Sequence, residues 1–210
     1  MTARRGAALA LAAAALLACG APEREAEAPR ADSTAAVASE PVPGPLPDTL
    51  PPDEPSTAVA TEGFIVGAAT APSTVTEGVA LLRGVRTGTH PDYERFVIEL
   101  SDQGAGFPAY SASYIDKPLH ECGSGEQVFP VGDGWLEIRM EPLDAHTPEG
   151  QPTISHRPQD LPGLENLMRM YMTCDFEAVS TIVLAVRSPN RFRVLTLESP
   201  RRIVVDIQRR

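Results

Sequence analysis

Four histidines, a pair of carboxylates and a set of strand-borne arginines are the residues of this 210-residue chain whose types could do chemistry. His90, His120, His146 and His156 fall in loop-like stretches, without the close spacing typical of metal ligands drawn from one element. His120-Glu121-Cys122 holds metal-capable atoms, but in an extended segment the middle side chain points away from its neighbours. The tripeptide is therefore read as loop polarity, and no metal site or cofactor is expected. Asp175 and Glu177 alternate along one strand and could act as a pair, although a solvated or ion-paired face is the simpler account. The chain has no Gly-x-Ser-x-Gly elbow and no glycine-rich phosphate cradle. The expectation is a binding module and not an enzyme; a hydrolase would have to use Asp175, Glu177 or His146.

Arginine supplies 17 of the 18 basic residues. Its planar fork binds a carboxylate through two parallel hydrogen bonds. Arg95, Arg139 and Arg193 each fall on the polar side of an alternating segment, so their heads are expected to reach solvent, where an acidic ligand could meet them. The alternative is pairing with neighbours such as Glu99 and Glu137.

The start of the chain says where it works. Arg4-Arg5 precedes an apolar segment from Ala7 to Leu17, and Leu16-Leu17-Ala18-Cys19 closes it. The segment is about half the roughly 20 residues that a membrane-spanning helix needs. The pattern resembles a bacterial lipoprotein signal, which implies cleavage after residue 18 and lipid attachment at Cys19. Setting Cys19 aside leaves Cys122 and Cys174. An even pair in an exported domain reads as a disulfide, closing a loop of 52 residues; two buried free thiols are the other reading.

Charge divides the chain. Gly20 to Gly78 carries ten acidic residues against two arginines, whereas Val79 to Arg210 carries eighteen against fourteen bases. The acidity belongs mainly to a Pro/Ala/Glu-rich stretch, with runs such as Pro41-Val42-Pro43-Gly44-Pro45. Such a stretch buries too little apolar surface to offset its ordering entropy, so residues 19–78 are expected to form a disordered tether. No basic stripe exists to neutralise phosphates, which excludes nucleic acid as a natural partner.

Residues 79–210 must then supply whatever positions the chemistry. Short apolar runs alternate with period two and are separated by turn residues. Strands are expected over Val79–Arg86, Glu94–Leu100, Ala109–Ile115, Gln127–Val131, Trp135–Met140, Glu177–Val186, Phe192–Leu197 and Arg202–Ile207. Leu164–Met172 suits either a helix face or a strand, and the alternation that follows favours the strand. Pro142 to Pro162 reads as a long loop. Eight or nine short strands in about 130 residues predict an all-β fold, a β-sandwich with Phe96, Ile98, Leu136, Ile138, Ile182, Leu184, Ile203 and Val205 inside.

The terminal stretch Phe192-Arg193-Val194-Leu195-Thr196-Leu197-Glu198-Ser199-Pro200-Arg201-Arg202-Ile203-Val204-Val205-Asp206-Ile207 resembles the closing hairpin of AMIN-type domains. There an apolar strand ends in a Pro-Arg turn and a Val-Val-Asp strand follows. Arg86 to Val97 and Asp175-Phe176-Glu177 resemble the longer AMIN-like variant of secreted proteins and lipoproteins, except that Ala178 stands where that variant usually has glycine. The resemblance implies a β-sandwich that recognises peptidoglycan or envelope proteins. No hydrolase domain follows in this sequence, so targeting without the amidase is expected. The whole reads as a lipid-anchored, non-catalytic protein of the bacterial cell envelope, facing away from the cytoplasm, with a protein–protein adaptor as the alternative.

Overall fold

A computed structural model describes residues 63–209 apart from 103, 105 and 117. The expected signal segment, Cys19 and the expected tether as far as residue 62 lie outside the described residues. The strands run β1 (Ala69–Ala71), β2 (Ala80–Thr89), β3 (Tyr93–Leu100), β4 (Ala109–Tyr114), β5 (Leu119–His120), β6 (Gln127–Val128) and β7 (Gly134–Glu141). They continue as β8 (Leu143–Asp144), β9 (Gln159–Asp160), β10 (Leu167–Phe176), β11 (Val179–Val186), β12 (Phe192–Glu198) and β13 (Arg201–Gln208).

Two sheets form the body. One has the order β1-β4-β7-β11-β10-β9, the other β12-β13-β3-β2-β8, and β5-β6 is a small separate ribbon. All the pairs are antiparallel except β2 with β8. The alternating runs explain why. Leu136, Ile138, Ile182 and Leu184 of one sheet share a single core with Phe96, Ile98, Ile203 and Val205 of the other. Each strand turns every second side chain toward this core, and two such faces close on each other as a sandwich. The Leu164–Met172 ambiguity resolves as strand, with Leu167, Met170 and Met172 in the core.

The folded part starts earlier than residue 79. Ala69–Ala71 pairs with β4, and Ile65 exchanges backbone hydrogen bonds of 2.8 and 2.9 Å with Phe192. The tether's expected boundary therefore moves toward the N-terminus: alanine, valine and threonine at 65–75 look like tether, yet can still extend a sheet edge.

Two side chains fix the joints between elements. Glu94 is fully buried, and its carboxylate accepts the backbone N–H groups of Glu165, Asn166 (2.9 Å) and Leu167 (2.7 Å). It thereby satisfies donors at the entry to β10 that would otherwise be buried without partners. Arg201, in the Pro-Arg turn, donates to the carbonyls of Gly106 (2.7 Å) and Ser101. The closing hairpin is thus tied to the loop that follows β3.

Candidate functional site

The three arginines singled out in the sequence do not share a site. Arg95 and Arg193 lie on the outer face of the five-stranded sheet, on either side of Asp206 in register. Arg139 lies on the outer face of the other sheet, on β7. The expectation that Arg95 reaches solvent is corrected: it is only 6% exposed. Its guanidinium donates to both oxygens of fully buried Asp206, at 2.7 and 3.1 Å. The physical reason is its place on β3, between β13 and β2, where the Asp206 carboxylate and the Tyr93 ring flank its guanidinium. Alternation tells which face a residue takes, not whether that face is wet.

Arg193 completes the arrangement. It contacts Asp206 at 2.8 Å and lies over the rings of Phe64 (4.7 Å) and Tyr93 (5.2 Å). One buried carboxylate therefore serves two guanidinium groups, one of them stacked on aromatics. The pairings expected with Glu99 and Glu137 fall elsewhere. Glu99 pairs with Arg86 at 2.6 Å, and Arg139 pairs with Glu141 at 2.8 Å.

The six-stranded sheet offers the open surface. Between β4 and β7 the chain makes an excursion that carries β5 and β6 and packs Leu119, Val128 and Val131 on Tyr171, Val183 and Trp135. The Sγ atoms of Cys122 and Cys174 stand at disulfide distance, 2.07 Å, and join the excursion to β10. The Cys122 N–H also donates to the Thr173 carbonyl at 2.9 Å. The excursion covers only part of the sheet's outer face. Beside it runs an open groove of about 570 Å³, lined by Glu137, Arg139, Glu141, Thr181, Glu177 and Phe176, with His120 and the two cysteines as one wall. Phe176 is 59% exposed.

Of His120-Glu121-Cys122, the first and last line this groove, and the Cys122 sulfur stands at disulfide distance from that of Cys174. Asp175 and Glu177 do not share a face. A register shift between Met172 and Cys174 inserts a β-bulge. The extra residue turns Cys174 outward to meet Cys122 and Asp175 inward, opposite buried Ser180. Glu177 instead sits in the β10–β11 turn with Ala178, at φ of 51° and 59°.

Sequence reasoning missed what the inward Asp175 meets. Its side chain is 3% exposed. One oxygen accepts the Ala145 N–H at 2.8 Å. The other accepts from His146 Nδ1 at 2.8 Å and lies 3.3 Å from His156 Nε2. The hydrogen bond to Asp175 raises the His146 pKa above the ordinary imidazole value. Spacing could not show this convergence, because a bulge and the loop after β8 create it. Elsewhere, His90 stacks on Tyr93 with ring centroids 4.3 Å apart, and burial raises the pKa of Tyr114, whose hydroxyl donates to the Asn190 carbonyl.

A family model described as AMIN-like domain matches residues 80–209. Neither a curated protein nor a solved structure matches the chain.

Proposed function

The chain belongs to the AMIN-like domain family, whose members suggest a peptidoglycan-associated targeting module, and from that premise we propose that this domain binds a cell-wall polymer in the groove beside the disulfide. The observation that supports this reading is the character of the groove. It is open, lined by polar and apolar atoms in about equal measure, and it includes an exposed phenylalanine. Glycans and wall peptides present hydroxyl, amide and carboxylate groups beside apolar ring faces. Glutamates and Thr181 can pair with the hydroxyls and amides, Arg139 with a carboxylate, and Phe176 with a ring face. Nothing in this role asks for bond breaking, so the domain acts by placing itself at the wall. Of the three arginines, this reading keeps Arg139 as a ligand contact and treats Arg95 and Arg193 as structural.

A lipid at Cys19 and a long tether belong to the same reading. Together they would hold the sandwich at a surface and raise its local concentration there. The test is co-sedimentation of the Cys19→Ser chain with purified cell-wall sacculi. The chain should pellet with sacculi, and Arg139→Gln combined with Phe176→Ala should release most of it while leaving the thermal transition in place. Pelleting unchanged by that pair of substitutions would refute the groove, and no pelleting at all would refute wall binding.

A further inference from the structure

Asp144, His146, Asp175 and His156 come together where the loop after β8 meets the bulged end of β10. One ligand atom from each of Asp144, His146 and Asp175 lies within 4.8 Å of the others. His156 Nε2 reaches the same Asp175 oxygen that His146 Nδ1 contacts. We propose that these residues form a binding site for a divalent transition metal of the zinc type.

The donor set is the first argument. Two imidazole nitrogens with two carboxylates suit a borderline ion such as Zn²⁺, whereas calcium and magnesium take oxygen alone. Distance is the second. Ligand bonds of about 2.0–2.1 Å arranged tetrahedrally place neighbouring ligand atoms roughly 3.3 Å apart. The two histidine contacts to Asp175, 2.8 and 3.3 Å, already lie near that edge length. The third is electrostatic. Asp144 and Asp175 are like charges held close together, and a shared cation turns their repulsion into attraction.

The surroundings add support. Asp175 is fixed from behind by the Ala145 N–H, as a ligating carboxylate should be. The loop that carries His146 is braced by the Thr153 N–H and hydroxyl, both donated to the Ala145 carbonyl, and by the Thr147 N–H to Gln151. Both histidines remain partly exposed, which leaves an entry path and lets His156 swing onto the ion. On binding, the proton that His146 Nδ1 shares with Asp175 would be released to solvent and the metal would take its place.

This site is independent of wall binding, and its test uses no wall material. The full chain, free of any affinity tag and carrying Cys19→Ser, is stripped with chelator and titrated with Zn²⁺ in a calorimeter. One ion per chain is expected, with a melting temperature that rises with Zn²⁺ concentration. Co²⁺ in its place should give the visible absorption of a low-coordinate site. His146→Gln and His156→Gln should each weaken uptake by at least the roughly 10–100-fold that loss of a mere supporting partner costs. Both positions are partly exposed, so the variants should keep the wild-type circular dichroism. No uptake at about 100 times the protein concentration overturns the proposal. So does stoichiometric uptake that survives the double His→Gln change, because the ion would then be held elsewhere.

Discussion

Asp206 holds Arg95 through a two-oxygen ion pair while showing no surface of its own to solvent. It is the aspartate of the Val204-Val205-Asp206 run, and its position gives that run a physical meaning. Val205 enters the core, Val204 joins Val97 and Leu197 in a small apolar cluster on the outer face, and Asp206 anchors two arginines from the strands on either side. The motif thereby ties three neighbouring strands together through one carboxylate.

Replacing Asp206 should therefore be costly. Asp206→Ala removes the carboxylate from a buried guanidinium, and breaking such a pair typically costs about 3–5 kcal/mol. Arg193→Gln removes only the partly exposed arm and should cost about 1 kcal/mol. Urea unfolding monitored by circular dichroism checks both values, and equal losses would show that the buried arm has no special weight.

The β10–β11 turn carries a correctable strain. Phe176 faces Val179 in register, so Glu177 and Ala178 are the two central residues of a tight hairpin, and both have positive φ. A residue with a side chain pays roughly 1–2 kcal/mol for that conformation. Ala178→Gly should stabilise the domain by about 1 kcal/mol, or raise its melting temperature by roughly 2–8 °C. The Ala178 carbonyl accepts from the Leu143 N–H, a bond glycine keeps. An unchanged or lower melting temperature would count against the strain.

Joining Cys122 to Cys174 closes a loop with a sequence separation of 52. Loop closure of that length is worth about 4 kcal/mol in the chain-entropy treatment. The double Cys→Ser variant should lose a few kcal/mol and also bind sacculi less, because the groove wall is no longer pinned. Non-reducing peptide mapping should find the two cysteines linked in the parent. Both thiols alkylating in the native protein would contradict the bond.

The inner faces were legible in the sequence because alternation over β3, β7, β11 and β13 leaves one consistent set of buried residues. The outer faces were not. Arg95 looked solvent-bound because a period of two carries no information about what covers the far side of a central strand. The Asp175 cluster was hidden for another reason. Without the bulge before Cys174, the alternation from Met172 would send Asp175 outward, and nothing in the run Met172-Thr173-Cys174-Asp175 announces an extra residue. His146 and His156 could then be placed no more closely than within one long loop.

Membrane attachment is the remaining expectation. Buried acyl methylenes contribute about 0.8 kcal/mol each, so lipid on Cys19 should carry the protein into the detergent phase of a phase-separation assay. Cys19→Ser should move it to the aqueous phase, and identical partitioning of the two would exclude lipidation.

The first described residues have a mechanical consequence. Ile65 clasps Phe192 on β12, at the edge of one sheet, and four residues later β1 joins β4 at the edge of the other. A pull arriving from the N-terminal side is thus taken up by two short, peripheral attachments in series. Either can peel before β7, β11 and β10 bear load, since those strands lie beyond β4 in the order of their sheet. The entry segment is therefore placed to act as a fuse, giving way at the rim while the groove keeps its shape.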